Sequence, residues 1–442
     1  MAIVQAPPAA AAVTTGPRAS RDTGIDFLRA LCVLGVVLLH AIMVGVMVGD
    51  SGPIFENASD GTAWIAPLSW LLQVMPLFFV IGGFSGFLAY QRMRMRGETA
   101  VEFVAGRVHR LLRPATVTIA VVGLALALLT ISGVPADLIA TAGFRYGQPL
   151  WFLGVFLLCQ ALLPLFAAAH RRAPLRTISA LAVAAIAVDV VRGVSGIQGL
   201  GFLNLLFVWM TLQQLGFFLA DGRIERLSRR LRAAAGLAAL FLLIVTFAVG
   251  VYSPDLIANI NPPTAALLLV GVVHTSLLSL HRARLERFSR RSRAAAFTAF
   301  VTARTMTIYL WHMPVLLFMA GSTAVFALLS GTALPELDSA AWWAGRPLWL
   351  AVALTLTAVV AVAFTRFESQ PAPASPSSPR RIVLSALSGL VGIVLLLVLG
   401  TSVATALIAL ALIAASLRLA SLPAPRSTRQ RHASCLAAPV PA

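Results

Sequence analysis

The 442-residue chain has no lysine, only three cysteines and few charges of either sign, 11% in all. Missing lysine leaves all 34 basic residues as arginine; with alanine abundant, this reports a GC-rich genome and not a mechanism. Cys32, Cys159 and Cys435 show no paired spacing, which excludes a disulfide framework and a cysteine metal site. The scarcity of charge, against 59% hydrophobic residues, excludes a soluble globular domain. Formal net charge is +18, yet the arginines fall in short clusters between apolar runs and no basic domain stands apart. Nucleic acid is therefore excluded as a partner, and the lipid bilayer takes its place.

Runs long enough to span a bilayer lie at 26–48, 67–90, 114–131, 149–169, 177–192, 203–220, 233–251, 264–280, 303–328 and 347–365. A further apolar stretch, 382–420, is too long for one span and is expected to fold back near Gly400, Thr401 and Ser402. The expected fold is all-α, a polytopic transmembrane helix bundle with a ten-span core and a C-terminal two-span hairpin. Its domains run 1–20 (disordered tail), 21–367 (transmembrane core), 368–381 (Pro/Ser-rich linker), 382–420 (hairpin) and 421–442 (disordered tail). The first span runs too long for a signal peptide and is expected to be retained. Arginine clusters at 92–96, 107–113, 171–176, 223–232, 282–293 and 380–381 all follow even-numbered spans; Arg145, Arg192 and Arg346 fall on the other side. By the positive-inside bias, both termini are cytoplasmic and the protein sits in the cell membrane.

The first span carries Arg29 near its start and His40 at its middle, side chains that are costly to leave in hydrocarbon. At about 100° per residue, the eleven steps between them make three turns plus about 20°, so the two share a face. Asp26 falls within about 40° of the same stripe. A histidine near the bilayer midplane can take and return a proton, although a bond to neighbouring backbone explains one equally well. Four small residues interrupt the aromatics of Phe78–Phe87, a composition that favours helix packing. In Gly106-Arg107-Val108-His109-Arg110-Leu111-Leu112-Arg113-Pro114, arginines at three-residue spacing fit phosphate oxygens or anionic lipid. Trp151 suits an interface, and Tyr309 and His312 stand in another polar concentration ending at Pro314.

Taken together, these motifs resemble the membrane-bound acyltransferase 3 family. The likeness rests on Asp26-Phe27-Leu28-Arg29-Ala30, on Arg29 and His40 with ten residues between them, on Phe78-Phe79 and Gly82-Gly83-Phe84, and on the Arg-x-x-Arg loop. Trp151-Phe152-Leu153 and Tyr309-Leu310-x-His312-x-Pro314 complete it, across residues 22 to 366. The resemblance implies transfer of a short acyl group from cytoplasmic acyl-CoA, with no permanently bound cofactor and no metal, to a hydroxyl of a sugar, glycan or other acceptor. It implies His40 as general base or transient acyl carrier and Arg29 as its partner, orienting the imidazole or steadying the oxyanion. Arg110 and Arg113, or Arg107 in an alternative register, become the phosphate-binding pair. Asp26, Gly83, Phe84, Ser85, Trp151, Tyr309 and His312 are expected around the substrate cavity. Where many members have Ser-Gly-Phe this chain has Gly82-Gly83-Phe84, leaving Ser85 as the nearby hydroxyl. The rival expectation is a proton-coupled exporter, against which stand the lack of a visible inverted repeat and of core carboxylates other than Asp189.

Overall fold

The computed structural model describes residues 22–49, 52–371, 373–374 and 378–421. The expected tails, 1–20 and 421–442, lie outside these residues apart from Ser421, as do Cys435 and parts of the linker. Helix α1 (Thr23–Met43) opens on Asp22, whose side chain accepts from the Ile25 amide at 2.9 Å. The first span was expected to run to residue 48, and here the structure differs. At Val44 the chain leaves the helix and forms an antiparallel hairpin of β1 (Val44–Gly49) and β2 (Gly52–Asn57), in register from Val44 opposite Asn57 to Gly49 opposite Gly52. Valines alternating with Gly45, Met47 and Gly49 favour a pleated strand, but hydropathy alone cannot separate such a run from a continuing helix.

The second span is broken. Helix α2 (Ile65–Leu72) stops at Gln73 and α3 (Met75–Met95) restarts with a proline in its first turn, where the missing amide costs nothing. Helix α4 (Ala100–Ile131) begins on a Thr99/Glu102 capping box, so the arginine loop is itself helical and continuous with the third span. Then come α5 (Ala136–Gly147), α6 (Leu150–Arg172), α7 (Pro174–Ser195), a 3-10 turn, α8 (Asn204–Ala220), α9 (Arg229–Ala248) and α10 (Ala266–Ser289). The ninth span is the single helix α12 (Thr305–Ser330), preceded across a short break at Ala303–Arg304 by a separate helix, α11 (Ser292–Thr302). The orphan amides at the start of α12 are met by Glu368 of α13 (Ala340–Ser369), whose carboxylate accepts from Met306 N at 3.2 Å and from Thr307 N at 2.9 Å. The chain closes with α14 (Pro379–Val398) and α15 (Val403–Leu419), turning at Gly400–Ser402 as expected.

Among the described residues eleven helical stretches are long and apolar enough to cross a membrane, and Val403–Leu419 is a shorter apolar helix. The protein is an all-α polytopic bundle. The stretch containing α8 is the most enclosed, whereas α7, α9 and α13 present Val194, Phe241 and Val359 outward, as lipid-facing helices should. Close backbone approach holds the centre together. A Cβ on Gly83 would fall 2.2 Å from the Gln213 carbonyl oxygen, and one on Gly216 would fall 2.1 Å from that of Val80, so only glycine lets α3 and α8 meet. The C-terminal hairpin packs on α4 and α6 and is tied internally by reciprocal bonds, Ser385 Oγ to the Ser416 carbonyl (2.8 Å) and Ser416 Oγ to that of Ser385 (2.7 Å).

Gly83→Ala should destabilise the bundle by about 1–3 kcal/mol through overpacking. A lowered unfolding temperature in detergent checks it; an unchanged one means that α3 and α8 do not touch at this glycine.

Candidate active site

His40 lies on the last turn of α1 and is half-buried. Its Nδ1 is 2.8 Å from the Val36 carbonyl, one helical turn earlier. A carbonyl only accepts, so the proton of the neutral ring sits on Nδ1 and the lone pair on Nε2. Beside it stands His312 of α12, ring centroids 5.0 Å apart in an edge-to-face arrangement. His312 is fully buried; its Nδ1 donates to the Tyr309 carbonyl, and its Nε2 has no partner among the described residues. Tyr309 is held in turn, its hydroxyl donating to the Pro149 carbonyl at 2.6 Å. That bond ties α12 to the start of α6, where Trp151 stacks on Trp209 and Trp209 on Phe79.

Two cavities meet at His40. One, of about 150 Å³, is walled by hydrocarbon and aromatic side chains from α1, α3, α6 and α12. The other, of about 210 Å³, lies under the β-hairpin and is bordered by Glu56, Arg145, Gln148 and Asn261. His40, Met43, Pro149 and Trp151 line both. One imidazole thus borders an apolar chamber and a vestibule in which Glu56, Arg145, Gln148 and Asn261 stand among apolar side chains. Sequence reasoning missed the vestibule because its polar residues come from the end of α5, from the loop between α9 and α10, and from a hairpin whose first strand lies in an apolar run. The only hint was that Arg145 broke the arginine pattern.

The remaining predicted residues divide differently from expectation. Arg29 is not at the imidazole: eleven residues along the helix place it about 16 Å away. Its Nη2 donates to Ser85 Oγ at 2.6 Å and pairs with Asp26 at 3.2 Å. Asp26, Arg29 and Ser85 therefore form a second polar cluster on α1 and α3, and Ser85 supplies the hydroxyl that Gly82 and Gly83 do not. Gly83 and Phe84 line neither cavity. Gly83 is a backbone contact of α8, and Phe84 is buried among Ile25, Ile81, Leu219 and Leu278, with the Arg282 guanidinium 5.5 Å from its ring centroid.

The three loop arginines also separate. Arg107 is half-buried over the Phe103 ring, at 4.8 Å, and lies within electrostatic range of Arg110 and Arg29. Arg110 is exposed. Arg113 donates to the Gln370 and Pro371 carbonyls, both at 3.2 Å, and borders a different, open cavity with His109, Arg381 and Arg418. A helix explains the split: residues three apart diverge by about 60° and the first and third of the series by about 120°, so the set cannot face one point. Of the three, Arg107 is the one within electrostatic range of Arg29, while Arg113 turns to Gln370 and Pro371.

Nitrogen-15 spectra of the full chain with labelled histidine should give His40 the shifts of a neutral ring protonated on Nδ1. A ring protonated on Nε2 would contradict the bond to Val36.

In comparison with known proteins, a model of an acyltransferase domain matches residues 22–366. No curated protein and no solved structure was found to match. The matched segment runs from the cap of α1 almost to the end of α13 and takes in both histidines, both cavities and the Arg29 cluster. With most of its length in that domain and folded as a bundle of apolar helices, the chain belongs to the acyltransferase 3 family and is a membrane acyltransferase.

Proposed function

We propose that the protein moves a short acyl group from acyl-CoA to a hydroxyl of a sugar, glycan or similar acceptor, with His40 as the general base. The arginine-rich face is cytoplasmic, both termini lie on that side of the cell membrane, and the CoA phosphates rest on Arg107 and Arg110, with Arg113 further out. Arg29, steadied by Asp26 and Ser85, supplies positive charge between this mouth and His40, on the donor's path. The acceptor enters from the opposite side, through the vestibule of Glu56, Arg145, Gln148 and Asn261.

In this reaction the acceptor oxygen attacks the thioester carbonyl carbon while His40 Nε2 takes its proton. The carbon–sulfur bond then breaks, and the leaving thiolate recovers the proton from the imidazolium. A single observation carries the reading: His40, its tautomer fixed by Val36, borders both an apolar cavity and one that carries Glu56, Arg145, Gln148 and Asn261. Donor and acceptor can then sit on either side of one base at the same time, which favours direct transfer over a histidine-bound intermediate. Placing the chemistry within the bundle also keeps bulk water from competing for the acyl group.

His40→Ala should lower acyl transfer by at least about 10²-fold while the folded protein still binds acyl-CoA; full activity would remove the base from the scheme. Arg107→Gln should weaken acyl-CoA binding by about tenfold, the worth of one charge-assisted hydrogen bond. Arg113→Gln should cost less, its guanidinium being engaged by Gln370 and Pro371. Equal losses in the two variants would restore Arg113 to the donor site.

A further inference from the structure

The apolar chamber beside His40 has a chemistry more restricted than its list of neighbours suggests. Five side chains with polar atoms border it; Trp151 brings an indole N–H, and the other four each have a group committed to a backbone carbonyl. Gln73 Nε2 donates to Leu256 at 2.8 Å, Thr305 Oγ1 to Val301 at 3.0 Å, Tyr309 OH to Pro149 at 2.6 Å and His40 Nδ1 to Val36 at 2.8 Å. The rest of the wall is hydrocarbon, chiefly Val33, Val37, Met43, Phe78, Phe152 and Met306. A polyol placed here would lose its hydration and find almost nothing in exchange. An alkyl chain would lose nothing, and would lie beside His40.

Size narrows the occupant further. An apolar cavity of about 150 Å³ stays dry and accepts a molecule such as benzene, that is, about six carbon atoms. The wall resists stretching, because Phe78 is held edge-on by Phe152 at 5.1 Å and by Phe156 at 5.8 Å. Resting on the acyl-transfer reading, we propose that this chamber is the acyl-chain pocket. It selects acyl groups of about four to six carbons, over acetyl, which leaves it largely empty, and over chains of about ten carbons, which overfill it. Specificity for the acyl group is thereby set on one side of His40 and specificity for the acceptor on the other.

The test is equilibrium competition of acetyl-, butyryl-, hexanoyl- and decanoyl-CoA for the full chain in lipid nanodiscs. Affinity should rise by about fourfold per methylene up to the preferred length, the value for burying a CH₂ group, and should fall again for decanoyl-CoA. Val37→Phe should move the preference toward acetyl-CoA. Met306→Ala, which enlarges the chamber, should move it toward longer chains and serves if the first variant does not fold. Affinity independent of chain length, tightest binding of decanoyl-CoA, or a preference unmoved by either variant would overturn the pocket and leave the donor standing. Failure of every thioester to bind would overturn the acyl-CoA reading itself, and the pocket with it.

Discussion

Within a bilayer a polar group without a protein partner has no water to fall back on, and this one constraint accounts for most of the arrangement around His40. His40 Nδ1 takes the carbonyl of its own preceding turn, and the Tyr309 hydroxyl reaches across to Pro149. Glu368, an acid that would be costly alone, is spent on the open end of α12. Satisfying these groups also aligns the functional atoms. The Val36 bond that stabilises the imidazole fixes its tautomer, and the Tyr309 bond holds α12 against α6, where the two cavities meet.

The breaks in the helices follow the same logic. The chain is interrupted at Gln73–Val74 and again at Ala303–Arg304, and residues beside both interruptions line the apolar chamber. Irregular backbone is tolerated at such depth only where protein encloses it or a cavity adjoins it. Gln73 finds the Leu256 carbonyl and the start of α12 finds Glu368. Space for a ligand is thus obtained where the regular packing of helix on helix lapses, while the glycine contacts of α3 and α8 keep the neighbouring centre closed.

Positive charge on α4 is divided between two surroundings. Arg107, on α4, lies within electrostatic range of both Arg110 and, on α1, Arg29. Arg113 turns instead to the start of the linker and to Arg381 and Arg418 of the terminal hairpin. That hairpin lies beyond the family domain, yet it packs on α4 and α6. Helical geometry, turning residues three apart by about 60°, lets one arginine-rich stretch of about two turns meet both the core and this addition.

The bundle was legible in the sequence because hydropathy and arginine placement act over twenty-residue windows, and the bilayer enforces both. The shared face of Arg29 and His40 was legible too, since it follows from helical period alone. What the period does not contain is partners: helical rise set Arg29 eleven residues below the imidazole, but could not show that Ser85 and Asp26 hold it there. Nor could it tell that Gly83 meets backbone and not substrate, or that Val44–Asn57 is a hairpin over a vestibule. Those outcomes depend on residues far apart in the chain: Ser85 meets Arg29, Gln213 meets Gly83, and Asn261 and Glu56 line one cavity. Local sequence therefore determined which segments cross the membrane and which of their faces are polar, and tertiary contact alone decided which polar groups are used up in holding the bundle and which remain for chemistry.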